Sequence, residues 1–139
     1  MKNSKLKFVT ILCFMLCITF LIGCASSNLA DDFDEEEVKK ATEEIISFVN
    51  NQDTMAILEI SNVAMKDALD EETMQLVYEA IAEGGEFKEI KEITVVGQKD
   101  KQSEEEFAVA VAKAKYENKT FIYTISFTRQ MKLAGLFFK

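Results

Sequence analysis

Few residue types in this chain could take part in chemistry. Its 139 residues include no histidine, three cysteines, three tyrosines and 24 aspartates and glutamates. Without histidine the chain has no Ser-His-Asp or Cys-His catalytic group, no histidine-bearing zinc site and no imidazole pH switch. Thiols, carboxylates and tyrosine hydroxyls are therefore the groups that any chemistry would have to use.

Two of the three cysteines, Cys13 and Cys17, lie in an apolar segment that spans residues 8–22. Lysines precede this segment, and all the acidic residues of the chain follow it. A positive start and an apolar run of this length are typical of a secretory signal peptide. A membrane span, which needs about 20 apolar residues, is the less favoured alternative.

The third cysteine, Cys24, follows Leu21, Ile22 and Gly23. This pattern resembles the lipobox of bacterial lipoproteins. The resemblance implies that the signal peptide, residues 1–23, is removed by cleavage between Gly23 and Cys24, and that the Cys24 thiol carries a diacylglyceryl group. No free thiol would then remain for a disulfide, a metal site or a nucleophile. An ordinary secretory signal with an unmodified cysteine is the alternative.

We therefore expect Cys24 to hold the protein in the bilayer, on the extracytoplasmic face of the cell membrane of a Gram-positive bacterium. Residues 24–33 are mostly small or polar and predict a flexible tether, which leaves residues 34–139 as one domain. The chain has a net charge of −8, and without the three lysines that precede residue 8 its charge is −11. An acidic chain has no basic face for phosphates, so we expect no nucleic-acid partner.

The first half of the domain has the apolar spacing of helices. Apolar residues recur every three or four positions from Val38 to Val49, which predicts a helix that begins after Asp34. The acidic run at 34–37 lacks the glycine and the spacing of a calcium-binding loop, so no metal site is predicted there.

Further helices follow in the same half. Asp53 is placed to cap a short helix over 54–60, and Asp70 to cap a longer one that Gly84 and Gly85 would end. A break at 61–62 ends the short helix, and residues 63–69 predict another helical segment after it.

Alternation of apolar and polar residues takes over after residue 85. Residues 120–128 predict the clearest strand, and residues 90–96, 107–116 and 131–138 predict three more, with a charged hairpin at 99–106. The alanine-rich segment 107–116 also suits a helix by propensity, but we favour a strand because strands are predicted on both sides of it. The order indicates an α+β fold, in which N-terminal helices pack on a curled four-stranded antiparallel sheet.

Helices that precede a curled antiparallel sheet resemble the cystatin-like or nuclear transport factor 2-like α+β roll. Three stretches are more closely similar to the bacterial domain-of-unknown-function family 3887: residues 45–50 (IISFVN), 89–97 (EIKEITVVG) and 131–136 (MKLAGL). These stretches are structural patterns rather than catalytic motifs, and the resemblance implies no agreed activity, cofactor or ligand.

The roll resemblance implies a cone between helices and sheet whose mouth can hold a small apolar or amphiphilic ligand. The candidate lining consists of aromatic residues and one methionine: Tyr78, Phe87, Phe107, Tyr116, Tyr123, Phe127 and Met131. Related rolls include ketosteroid isomerases, in which a carboxylate in an apolar pocket acts as general base. The corresponding candidates here are the carboxylates Glu89, Glu92 and Glu117, with Tyr78, Tyr116 or Tyr123 as hydrogen-bond donors.

We nevertheless predict a non-catalytic protein without a cofactor or a metal, because the chain has no nucleophile elbow, phosphate-binding loop or metal-ligand spacing. The favoured function is protein interaction through the sheet face that bears Leu136 and Phe138, with a second copy of this chain or another envelope protein. Ligand binding in the cone is the second hypothesis. Isomerase- or hydrolase-like chemistry with a carboxylate is the third.

Overall fold

The computed structural model of the chain describes residues 28–139. Four helices come first: α1 (Glu35–Asn50), α2 (Thr54–Ile60), α3 (Val63–Ala68) and α4 (Glu71–Ala82). Four strands follow: β1 (Phe87–Lys99), β2 (Glu106–Tyr116), β3 (Thr120–Phe127) and β4 (Leu133–Phe138). The predicted α+β fold is confirmed, and the alanine-rich segment is a strand.

Side-chain caps fix where the helices begin. The backbone N–H of Glu37 donates to Asp34 Oδ1 at 3.0 Å in the first turn of α1. Asp53 and Asp70 cap α2 and α4 in the same way, as predicted, and Asn62 caps α3. Each cap satisfies a backbone N–H that the helix itself leaves without a partner.

The strands form one antiparallel sheet in the order β1-β2-β3-β4. β1 is longer than predicted, because residues on both sides of 90–96 also pair with β2. β4 begins later than predicted, because Met131 has a φ of 57° and its N–H donates to the Thr128 carbonyl in the turn before the strand. Register shifts in β1 and between Ser126 and Phe127 are irregularities of the kind that bend strands and increase their twist.

Alternate residues of each strand lie on opposite faces of the sheet. We call the face that packs with the helices the inner face. On β2 and β3 its residues are all buried: Ala108, Ala110, Ala112, Ala114, Tyr116, Phe121, Tyr123, Ile125 and Phe127. The small alanines allow the apolar side of α1 to lie close to β2, and α1 contacts both β1 and β2. The core therefore lies between the helices and this face.

The chain enters the domain at one end of the sheet, which we call the hairpin end because the β1–β2 and β3–β4 turns lie there. Phe33 is buried in the core, and Leu29 packs against the core. Arg129, in the β3–β4 turn, forms ion pairs with Asp32 and Glu106. Residues 29–33, assigned by sequence to the tether, thus pack on the domain. From this end, the 16 residues of α1 lead to the opposite end of the sheet.

Candidate functional site

A cleft of about 820 Å³ opens at the end of the sheet opposite the hairpin end. Its walls come from the last turns of α1, the end of α4 and the start of β1. Apolar and aromatic side chains line one part of it: Ile46, Val49, Tyr78, Ile81, Ala82, Phe87, Ile90 and Tyr116. The remaining lining is polar: Glu43, Ser47, Asn50, Asn51, Gln52, Gly85, Glu86 and Glu89. The volume exceeds the roughly 300 Å³ at which small-molecule pockets begin.

The connection from α4 to β1 forms one wall of the cleft and depends on two glycines. A Cβ at Gly84 would lie 2.6 Å from the Phe121 ring, so the backbone approaches β3 more closely than any other residue would allow. Gly85 has a φ of 77°, which favours glycine, and it turns the chain towards β1. This connection places Phe87, the first residue of β1, in the wall of the cleft.

A chain of hydrogen bonds leads from the core to the cleft. Tyr116 Oη donates to Asn50 Oδ1 at 2.5 Å. Because a hydroxyl has one hydrogen to donate, Tyr123 is then the donor in the 2.8 Å contact between Tyr123 Oη and Tyr116 Oη. Within residues 28–139, no acceptor is bonded to the Asn50 Nδ2 group. Asn50 therefore keeps an amide donor for a group inside the cleft.

The hydroxyls of Tyr116 and Tyr123 stay protonated. Burial raises the pKa of Tyr123, and its hydrogen bond with Tyr116 raises it further. Burial also raises the pKa of Tyr116, against the smaller opposing effects of its hydrogen bonds to Tyr123 and Asn50. A third ring is held independently, because Tyr78 Oη and Thr54 Oγ1 are hydrogen-bonded at 2.8 Å. The wall of the cleft therefore presents aromatic rings with fixed positions.

The predicted lining residues fall into two groups. Tyr78, Phe87 and Tyr116 line the cleft. The other four do not belong to its walls: Tyr123 and Phe127 are buried in the core, Phe107 lies near the β1–β2 turn, and Met131 lies in the β3–β4 turn. The inner face of β2 and β3 is filled by buried side chains, and the cleft lies at one end of the sheet.

The candidate carboxylates do not have the environment of a general base. Glu89 lines the cleft but is exposed, and its ion pair with Lys91 at 2.5 Å holds the pKa of its carboxyl below the usual range. A general base of the isomerase type needs the opposite shift, which burial in an apolar pocket produces. Glu92 and Glu117 are also exposed.

Several cleft residues were not singled out from the sequence. Asn50 is the main one: the sequence assigned it to the end of a helix, and its hydrogen bond to Tyr116 joins positions that are 66 residues apart. Ile90 was assigned to a strand without a role. The glycine pair at 84–85 is the signal that could have placed the cleft, because it brings the end of α4 and the start of β1 together.

The face of β4 that bears Leu136 and Phe138 differs from the prediction. Both side chains are partly buried and pack against the core on the inner face, so the helix side of the sheet covers them. The exposed aromatic side chain of β4 is Phe137, on the opposite, outer face, where it is 73% exposed. The prediction was wrong because β4 is apolar on both faces and the sequence gives no sign of which one meets the core.

The outer face of the sheet carries a second feature, which we call the outer patch. It consists of apolar side chains from all four strands: Val96, Val109, Val111, Ile122 and Phe137. Val111 is 37% exposed, and Val109, although buried, does not belong to the core cluster. Val96 pairs directly with Val109, Thr124 lies between Val111 and Phe137, and Ile122 pairs with Lys113. The outer patch is therefore an apolar surface of the sheet, distinct from the core.

The predicted membrane attachment concerns residues outside the described part of the chain. Gly23, Cys24 and the signal peptide all precede residue 28, where the structure begins. Within residues 28–139, no helix combines the length and apolarity needed to cross a membrane. Over the same residues, no group of three or more acidic or cysteine side chains is arranged to hold a metal ion.

The fold and the site define a small α+β domain, with helices on one face of a curled four-stranded sheet and an open cleft at one end. The chain belongs to the family described as "Protein of unknown function (DUF3887)", which matches residues 42–136. The sequence resemblance to this family is confirmed.

A solved structure shares the fold. It is described as "NMR structure of protein from Ruminococcus gnavus ATCC 29149" and superposes with a TM-score of 0.71. The two sequences are 23% identical, and the match covers 81% of this chain and 96% of that one. No curated protein matches the chain.

Proposed function

We propose that this protein is a lipid-anchored extracytoplasmic binding protein that holds a small amphiphilic ligand in the cleft, without catalysis. The observation that carries the proposal is the cleft itself, about 820 Å³ in volume, with an apolar wall and the Asn50 amide beside it. Eight of the sixteen lining residues are apolar or aromatic, and small-molecule sites combine such side chains with polar groups that fix the orientation of the ligand. The cleft favours this function over the protein interaction that the sequence alone favoured.

The polar groups of the cleft are held in place before a ligand arrives. Tyr116 is fixed by hydrogen bonds to Asn50 and Tyr123, and Tyr78 by its hydrogen bond to Thr54. Binding would therefore cost little side-chain entropy at these positions. An apolar part of the ligand would pack against Ile81 and Ile90, and an acceptor group would receive a hydrogen bond from Asn50.

A neutral solvatochromic dye, Nile red, tests whether the cleft binds an apolar molecule. We expect the dye to bind segment 28–139, which contains every residue of the core, and to shift the amide NMR signals of the cleft residues. Ile90→Trp should fill the cleft and weaken binding at least tenfold, whereas Ile122→Trp, a strand isoleucine on the outer face, should leave it unchanged.

Circular dichroism would show that both tryptophan variants fold. Asn50→Ala, which leaves the apolar wall intact, gives a second variant if Ile90→Trp does not fold. Dye binding that causes no shifts among the cleft residues, or that is unchanged in Ile90→Trp and in Asn50→Ala, would contradict the proposal.

Lipid attachment at Cys24 is a separate part of the proposal and has its own test. The support is the sequence Leu21-Ile22-Gly23-Cys24 after a positive and apolar segment. In the bacterial host, Cys24→Ala should block maturation and leave a precursor that is heavier by the signal peptide. Cys17→Ala, in the segment to be removed, should be processed normally. A Cys24→Ala product of mature size that still sediments with membranes would overturn this part.

The outer patch supports a second candidate function, self-association. Residues 28–139 carry a net charge of −11, so two copies repel each other over most of their surface. The two cross-strand rows that run from Val96 to Gly135 and from Thr94 to Phe137 bear apolar and hydroxyl side chains without a charge, and Lys113, the partner of Ile122, borders them. A symmetric dimer needs a surface that complements itself, and two copies can meet through these rows with the least repulsion.

Sedimentation equilibrium of segment 28–139 tests this candidate. We expect a monomer–dimer equilibrium at high micromolar concentration that salt strengthens by screening the charge repulsion. Phe137→Ser should weaken it at least tenfold, while Leu76→Ser, which changes a similarly exposed leucine of α4, should not. A domain that stays monomeric throughout would exclude self-association through the outer patch.

A further inference from the structure

We infer that the ligand of the cleft is a cationic amphiphile, with a protonated or quaternary amine beside an apolar body. This inference rests on the proposed binding function and adds the charge of the ligand. Two independent features of the cleft carry it: the aromatic rings in its wall and the sign of every charged side chain that lines it.

Three aromatic rings, Tyr78, Phe87 and Tyr116, line the cleft. The ring centroids of Phe87 and Tyr116 are 5.4 Å apart and the ring planes meet at 71°, an edge-to-face contact. Tyr116 is buried and makes a second edge-to-face contact with Phe121, so Phe87, which is partly exposed, is the ring most open to a ligand. The face of an aromatic ring is negative and attracts a cation, and cages of such rings recognise quaternary ammonium groups. Burial raises the pKa of Tyr116, so this ring adds no phenolate charge to the cleft.

All the charged side chains that line the cleft are carboxylates: Glu43, Glu86 and Glu89. Glu86 and Glu89 are each paired with a lysine, Lys88 and Lys91, neither of which belongs to the lining. Among residues 28–139, Glu43 has no hydrogen-bond or ion-pair partner. Glu43 also lines a neighbouring groove with Lys39, Lys40 and Lys91, but none of these lysines forms an ion pair with it, so a cation in the cleft can pair with its carboxylate.

The same arrangement disfavours anionic ligands. A carboxylate, sulfate or phosphate group in the cleft would lie near Glu43, with no lysine or arginine of the lining to pair with it. The net charge of −11 on residues 28–139 adds repulsion from the rest of the domain. Fatty acids and phospholipids are thus poor candidates, and an apolar amine is a good one.

Three probes with the same eight-carbon chain distinguish the contribution of ligand charge to affinity from that of apolar burial. They are octyltrimethylammonium, octyl glucoside and octanesulfonate. Each is titrated below its micelle concentration into segment 28–139 at low salt and followed by amide NMR. We expect octyltrimethylammonium to bind at least tenfold more tightly than octanesulfonate, with octyl glucoside between them. The largest shifts should lie at the cleft residues.

Adjacent glutamates on α1 provide a matched pair of variants. Glu43→Gln should reduce the preference for the cationic over the neutral probe several-fold. Glu44→Gln, which removes the same charge from an exposed residue outside the lining, should change it much less. Phe87→Leu keeps the wall apolar but removes an aromatic ring, so it should weaken binding of the cationic probe more than binding of the neutral probe.

The outcomes distinguish this inference from the function on which it rests. If the cationic and neutral probes bind the cleft equally and Glu43→Gln has no effect, the charge inference is wrong and the binding function stands. If the cationic probe shifts residues over the whole acidic surface without preference for the cleft, the inference is also wrong. If no probe binds in the cleft, the proposed function itself falls.

Discussion

The two faces of the sheet differ in what they contribute, although the same four strands build both. On β3 the inner residues Phe121, Tyr123 and Phe127 are buried, while Thr124 and Ser126 alternate with them on the outer face. The inner face supplies the core and, where the helices end, the cleft. The outer face supplies the outer patch, which Lys113 borders and which is not part of the core. Substitutions on the two faces should therefore separate folding from association.

The largest difference in the free energy of unfolding should appear between substitutions of two phenylalanines on opposite faces of the sheet. Phe127 is 1% exposed in the core, and Phe137 is 73% exposed on the outer patch. Phe127→Ala should lower the free energy of unfolding by about 3–5 kcal/mol, because it removes buried apolar area and leaves a cavity. Urea denaturation measures this change. A loss below about 1 kcal/mol would mean that the inner face is not the core.

An intermediate effect concerns the pH dependence of stability. The buried hydroxyl of Tyr123 keeps its proton in the folded state, since burial raises its pKa, whereas in the unfolded chain it ionises near pH 10. Above that pH the folded state binds more protons than the unfolded state. Above pH 10, ionisation of Tyr123 in the unfolded chain should then lower the free energy of unfolding by about 1.4 kcal/mol per pH unit. Below pH 10, Tyr123 should add nothing to the pH dependence of stability.

Tyr123→Phe isolates this contribution, because the lysines that also titrate at high pH are the same in both proteins. Urea denaturation between pH 8 and about 11 should show a steeper decline for the unchanged chain than for the variant. Equal slopes would show that the Tyr123 hydroxyl loses its proton in the folded state as readily as in the unfolded one.

The smallest effect on stability is expected at the outer face. Phe137→Ser should change the free energy of unfolding of the monomer by no more than about 0.5 kcal/mol, since the side chain is already solvated. The measurement is made at low micromolar concentration, where association does not contribute. A loss comparable to that of Phe127→Ala would show that the outer patch packs on something inside the domain, and the comparison between the faces would fail.

Much of this architecture could be predicted because its signals are local. Asp34, Asp53 and Asp70 mark helix starts by a hydrogen bond that spans three residues, and the strands show their alternation directly. The inner side of β4 could not be predicted, because Leu136, Phe137 and Phe138 are all apolar and a register shift beside Phe127 changes the pairing.

The cleft could be predicted only in part, because it depends on contacts between distant segments. Tyr116 and Tyr123 have the same residue type and both lie on strands. One reaches the cleft only because β2 ends beside Asn50, while the other is seven residues further along the chain and inside the core. The charge of the lining likewise emerged only when Glu43 on α1 and Glu86 before β1 were brought together.

The packing of Phe33 and the ion pairs of Arg129 determine how an anchor at Cys24 would orient the domain. Four residues, 25–28, separate Cys24 from Leu29 in the sequence, and they can span at most about 14 Å at roughly 3.5 Å per residue. The attached end is the hairpin end, and α1, about 24 Å long at 1.5 Å per residue, leads from it to the opposite end of the sheet, where its second half lines the cleft. The mouth of the cleft would then open away from the bilayer, so its ligand would arrive by diffusion from the aqueous side rather than by lateral transfer from the lipid.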